Sequence, residues 1–306
     1  MARPRSSFGQ DLVWRLEAFG YDLFLALFRL LSVDAASALG GRLLKLVGPL
    51  SGPHKTASRN LRLAFPEKGE AWRQGVLAAQ WENLGRTSAE FAHMDRLLPG
   101  SGRVEIVNAE RLHAIAREGR PAVLVGGHFA NWEMLGVVIV NSGVKCQVTY
   151  RAANNPYIDR RIIESRRRYG VQLFAPKGGD GARELLEAMG RGESVGIMND
   201  QKFNGGVGVP FFGRTVYAAP GPTRLALRHG GIIDLMSVQR LNGARFRVTV
   251  YEPIVLERTG DRAHDIEQGV RRITAFLEER IREKPEDWFW VHKRWPAEAY
   301  ASLDAG

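Results

Sequence analysis

The stretch "VLVGGHFANWEML", Val123 to Leu135, decides how the rest of the chain is read. Its apolar start, in "PAVLVGG", has the length of a short buried strand. Gly126 and Gly127 then allow a sharp turn and a close approach of ligand to backbone. "ANWEMLGVVIVNSG" follows as a helix. His128 falls in the turn and Glu133 five positions later, a spacing that does not share one helical stripe. The two meet only if His128 lies ahead of the helix. Such a pair suits general-base catalysis: imidazole takes a proton from a hydroxyl, and the carboxylate fixes its tautomer. No Ser or Cys stands beside the pair, which favours direct attack by a substrate hydroxyl over a covalent intermediate. The alternative is a polar helix start, with His128 bonded only locally.

Working outward, strands alternate with helices. "RVEIVN", "VKCQVTY", "VQLFA" and "ESVGIMND" read as strands. "AERLHAIAREG", "NPYIDRRIIESRRRYG" and "GARELLEAMGRG" read as helices between them. A glycine-rich loop, "FNGGVGVPFFGR", follows, then a helix near "APGPTRLALRHG". Two late strands, "GIIDLMSV" and "RFRVTVYEP", and a long helix, "HDIEQGVRRITAFLEERIREKP", complete the pattern. This alternation predicts an α/β fold with a mainly parallel central sheet flanked by helices. Ligands gather at the carboxyl ends of such strands. His128 and Asp200 both closely follow apolar strands, so they are candidates to meet there.

The 306 residues suffice for one large domain with an appendage. We divide them into N-terminal helices at 1–50 and a body at 51–306, with "GPLSGPHK" as the break. Lys and Arg exceed Asp and Glu by 43 to 33, and the pI is about 10.0, which suits an anionic partner. The single Cys146 excludes an internal disulfide and fits a small core residue. The basic "MARPRSS" is not followed by the clean apolar run of a signal peptide, because Asp22, Arg29 and Asp34 interrupt it. Two helices are expected, Tyr21–Val33 and Asp34–Val47, the second capped by Asp34. The apolar part of the first spans roughly 16 Å at ~1.5 Å per residue, about half of a hydrocarbon core. These helices are therefore expected to lie in a membrane interface rather than cross it, the alternative being that they pack on the body of the protein.

Several segments together carry a resemblance. "HFANWE" is an HxxxxE version of the HxxxxD/E motif, and "GGHFANWEML" around it resembles the late acyltransferases of lipid A biosynthesis, the lauroyl and myristoyl transferases of Gram-negative bacteria. Three further matches follow in the family's order: "YRAANNPYIDRRIIESRRRYG", "MNDQKFNGGVGVPFFGR" and "PEDWFWVHKRW". The resemblance runs to about Trp295. The hexapeptide alone is weakly specific; the ordered set is strongly so.

The resemblance implies a glycerolipid-acyltransferase-like fold and an O-acyltransferase. His128 would be the general base on a hydroxyl of a lipid A precursor or, alternatively, of a phosphatidylinositol mannoside or a lysophospholipid. That oxygen would attack an acyl thioester carried by acyl carrier protein (ACP), or alternatively by coenzyme A. Glu133 would orient His128, with Asp200 as a rival or helper. In a relative that acylates phosphatidylinositol mannosides, the orienting carboxylate comes from the segment matching "MNDQK". Arg166 would bind a phosphate, with Arg151 a second candidate. No cofactor or metal is implied. The implied partners are ACP, the lipid A precursor and the membrane surface, not nucleic acid. The protein would be a monomer on the cytoplasmic face of the inner membrane. Two other classes stay open: a metal-dependent hydrolase, which lacks closely spaced His ligands here, and a basic membrane- or nucleic-acid-binding protein without catalysis, which lacks any RNP-like or zinc-knuckle motif.

Overall fold

The computed structural model describes residues 7–171, 173–176 and 179–304. The basic leader through residue 6, and Gln172 of the "VQLFA" segment, lie outside the described residues. The chain opens with four helices, α1 (Phe8–Arg29), α2 (Val33–Val47), α3 (Gly52–Ala64) and α4 (Glu70–Glu90). Then come β1 (Val104–Val107), α5 (Ala109–Glu118), β2 (Val123–Gly126), α6 (Glu133–Asn141), β3 (Cys146–Tyr150) and α7 (Pro156–Arg168). They are followed by β4 (Leu173–Pro176), α8 (Gly179–Gly190), β5 (Ser194–Met198), and a pair, β6 (Val207–Phe211) and β7 (Arg214–Ala218). The last part holds α9 (Gly221–Arg228), β8 (Ile232–Arg240), β9 (Phe246–Val250), β10 (Ile254–Val255), α10 (Arg262–Glu283) and α11 (Ala297–Asp304).

The main sheet runs β1-β9-β8-β2-β5-β3-β4, with β10 beside β8. Its pairs are parallel except β8–β9 and β8–β10. The expected mainly parallel α/β sheet with flanking helices is therefore present. β2 lies between β8 and β5 and is buried along its whole length, as strands covered on both faces must be. Its "VLVG" accordingly lacks polar alternation.

Three local expectations are corrected. The first N-terminal helix starts at Phe8, not Tyr21, because Ser7 caps it by accepting from the Gln10 N–H. The second is capped by Ser32, whose hydroxyl accepts from Ala35 N at 3.2 Å. Asp34 sits in its first turn and pairs with Arg103 instead. The segment read as a glycine-rich loop is largely the β6–β7 hairpin. Phe212 and Gly213 turn it with φ of 49° and 70°, the left-handed geometry that hairpin turns demand.

Helices α2 and α4 pack closely because Gly40 and Gly85 face each other; a Cβ on either would collide with the other's carbonyl. α1 leans on α7 through Asp22–Arg161, Tyr157 Oη–Asp11 (2.8 Å) and Asn155 Nδ2–Trp14 O (2.8 Å). Its other side leaves Phe8, Leu12, Leu16, Phe19, Leu23 and Leu27 exposed. No described helix is long and apolar enough to cross a membrane.

Candidate active site

Strand register builds the centre of the site. β2 and β5 are parallel neighbours, with Gly126 opposite Met198. Each chain runs two residues further, to His128 and Asp200, without changing that offset of 72 positions. The two side chains thus emerge together at the carboxyl end of the sheet. His128 Nδ1 lies 2.7 Å from Asp200 Oδ1, and the His128 backbone N–H donates to Oδ2 at 2.8 Å. The Trp288 indole N–H donates to the same Oδ2 at 2.9 Å. Burial pushes the Asp200 carboxyl up, but the facing imidazole and these three hydrogen bonds outweigh it and hold the group well below the usual carboxylate range. An ionised carboxylate only accepts, so Nδ1 carries the proton and Nε2 the lone pair. That is the tautomer a general base needs.

The turn that carries His128 is tied down on its other side. Ala130 has a φ of 42°, and its N–H donates to Asp287 O at 2.7 Å. Phe289 N–H donates to His128 O at 3.1 Å, so the segment around Trp288 pairs with "HFA" as a short antiparallel bridge. Asn131 donates to Glu90 at 3.0 Å, and Glu90 forms a fully buried ion pair with Arg240. Trp288, Trp290 and Trp295 are buried. Buried in this way, they brace the site.

The question of His128's partner is settled geometrically in favour of Asp200. The expectation that Glu133 holds the imidazole is corrected. Glu133 opens α6 and turns toward α7, where it accepts from Arg166 Nε at 2.8 Å and from the Tyr169 hydroxyl at 2.9 Å. His128 does lie ahead of the helix, but Glu133, its first residue, is held instead by Arg166 and Tyr169 at the end of α7. Burial pushes the Glu133 carboxyl up, but the Arg166 guanidinium overcomes this and lowers it. Arg166, the expected phosphate ligand, is thereby engaged, and it also stacks over the Tyr150 ring at 4.8 Å. Arg151 is exposed just beyond β3. The structure brings His128 to Asp200 and Glu133 to Arg166, as two separate pairs.

Beside His128 and Asp200 lies a small pocket, lined further by Trp288, His292, Lys293 and Arg294. Among the described residues, no group of His, Cys, Asp and Glu is placed to hold a metal ion. Cys146 is buried, and burial pushes its thiol up to about 12, so it acts as a core residue. Sequence reading missed Tyr169 and the Glu90–Arg240 pair altogether. Their partners lie far off in sequence, and no local pattern marks them.

A His–carboxylate dyad at the carboxyl end of a parallel sheet, with no Ser, Thr or Cys among the described residues lining its pocket, is an arrangement for moving a hydroxyl proton during group transfer. The sequence profile of the bacterial lipid A biosynthesis acyltransferases matches residues 13–297. The chain belongs to that family. It is 26% identical over 267 residues to a lipid A biosynthesis palmitoleoyltransferase of Escherichia coli, covering 84% of this chain and 83% of the relative. To the lauroyltransferase of the same organism it is 24% identical over 252 residues, 78% of each chain. A phosphatidylinositol mannoside acyltransferase of Mycolicibacterium smegmatis is 25% identical over 203 residues, 64% of each chain.

Proposed function

We propose that this protein transfers a fatty acyl chain from acyl-ACP to a hydroxyl of a lipid A precursor, at the cytoplasmic face of the inner membrane. The carrying observation is the His128–Asp200 pair. His128 Nε2 takes the proton of the acceptor hydroxyl as its oxygen attacks the thioester carbonyl. The intermediate collapses to an ester, and the departing thiolate receives the proton back from the imidazolium. Asp200 keeps the ring oriented and stabilises its charge. Glu133 and Arg166 act as a pair that fixes α7 against α6. The exposed Arg151 is then the freer guanidinium for a phosphate of either substrate.

The membrane part of this reading rests on the exposed apolar residues of α1 together with Leu39, Leu43 and Leu46 of α2. Such faces lie in the boundary between headgroups and acyl chains, and a net charge of +10 draws the protein to anionic lipid. A second acceptor, a phosphatidylinositol mannoside, is favoured by one observation. The carboxylate on His128 comes from the "MNDQK" segment, the position that resemblance assigns to that relative.

The test is purified protein with lauroyl-ACP or lauroyl-CoA and either a tetraacylated lipid A precursor or a phosphatidylinositol mannoside, read by mass spectrometry. A mass increase of one acyl group on the lipid A precursor, lost in His128→Ala, supports the proposal. Acylation of the mannoside alone would replace the acceptor, and turnover in His128→Ala would remove the mechanism.

A further inference from the structure

Transfer from a thioester places negative charge on the carbonyl oxygen when the hydroxyl adds. Some donor must meet that charge, and the obvious ones near His128 are occupied. The backbone N–H groups of His128, Phe129 and Ala130 donate to Asp200, Gly127 O and Asp287 O respectively. Arg166 is held by Glu133.

Arg294 differs. It is only 1% exposed, yet no carboxylate among the described residues pairs with it. One nitrogen, Nη1, donates to Tyr217 O at 2.9 Å, and the guanidinium lies over the Phe211 ring at 5.0 Å. Its Nε and Nη2 are buried without a hydrogen-bond partner. Leaving a buried donor unpaired is costly, and the cost is larger for a charged group. Arg294 lines the same cavity as His128. Burial also lowers its pKa to about 10, opposed by the nearby charge of Asp200. The group remains cationic at neutral pH.

We propose that Arg294 is the oxyanion donor of the site, its free Nε–H and Nη2–H receiving the thioester carbonyl oxygen in the cavity it shares with His128. The acceptor oxygen bonds to the carbonyl carbon, and the C=O π pair moves onto oxygen, facing Arg294. His128 Nε2 holds the hydroxyl proton. As the C–S bond breaks, the carbonyl reforms and the thiolate takes that proton; Arg294 keeps its own throughout. A buried guanidinium does this better than the exposed Lys293 at the cavity rim, because low dielectric strengthens the interaction and no solvent must reorganise.

This inference rests on the acyl-transfer reading, so wild-type turnover is measured first. Arg294→Lys keeps the charge but loses the forked donors. At matched folded fraction by near-UV circular dichroism, its kcat should fall on the order of 10²–10³-fold, with KM for either substrate moving less than about threefold. The fall should be equal at every pH. A kcat within about fivefold of wild type overturns the proposal. So does a loss that merely shifts the pH profile, since that places Arg294 on the His128–Asp200 pair instead. If the Arg294 variant does not fold, a second measurement decides. A ¹³C-carbonyl lauroyl thioester bound to His128→Ala should show its carbonyl stretch displaced to lower frequency than in water; an undisplaced band overturns the proposal. Wild type without any acyl transfer sinks both readings; active wild type with an unaffected Arg294→Lys sinks only this one.

Discussion

His128 and Asp200 continue the register of β2 and β5 beyond the ends of both strands, and meet at 2.7 Å. Because the pairing is set by the sheet, losing one side chain should cost chemistry more than fold. Asp200→Asn keeps the shape but lets an amide N–H face Nδ1, favouring the wrong tautomer. Its kcat should drop about 10²–10⁴-fold. Steady-state kinetics check this, and near-wild-type turnover in Asp200→Asn would mean that another group sets the imidazole.

Glu133 and Arg166 are both largely buried, with side chains 7% and 16% exposed. Arg166→Ala strands a carboxylate in the interior. We expect a loss of stability on the order of 3–5 kcal/mol, partly recovered when Glu133→Gln is added. Urea denaturation of wild type, both single variants and the double variant measures the coupling. Additive effects would show that the pair is not a structural unit. Activity per folded molecule should survive better than in Asp200→Asn.

At the opposite end of β5, Glu193 accepts from Arg191 (3.0 Å), Gln147 (2.9 Å) and Lys145 (3.0 Å). The bond from Arg191, then that from Gln147, holds its carboxyl down to about 2. A carboxyl depressed in the folded state stabilises above its unfolded value, about 4.3, and that contribution is lost as pH falls through the folded value. Glu193→Gln should therefore lower stability at neutral pH and flatten the acid side of the stability curve. Catalysis should be unchanged, since Glu193 precedes the strand and Asp200 follows it. Tm measured from neutral pH down to about 2 decides; an unchanged slope would show the contacts contribute nothing.

Leu16 and Leu23 project from the unburied side of α1. A Leu16→Glu, Leu23→Glu variant should bind anionic phospholipid vesicles at least about tenfold more weakly, given ~1.5–3 kcal/mol for each fully buried leucine. Co-sedimentation measures this. Activity on a detergent-dispersed acceptor should persist. Equal vesicle binding by both proteins would assign membrane contact to another surface.

The α/β alternation, the strand–turn–helix at Val123–Leu135 and the ordered motifs that mark the family are legible in the residues alone. These are local signals, carried by apolar runs, glycines and short spacings. They put His128 and Asp200 at the carboxyl ends of strands, while Glu133 and Arg166 are singled out by motif spacing and resemblance. Who pairs with whom follows from how the elements pack. Strand order 8-2-5-3 sets Asp200 beside His128 and leaves Glu133 for Arg166 on a neighbouring helix. Pairings across 33 and 72 residues depend on sheet order and helix rotation. Neither has a signature in local periodicity. The same holds for Arg294, whose unpartnered nitrogens exist only because the fold buries it.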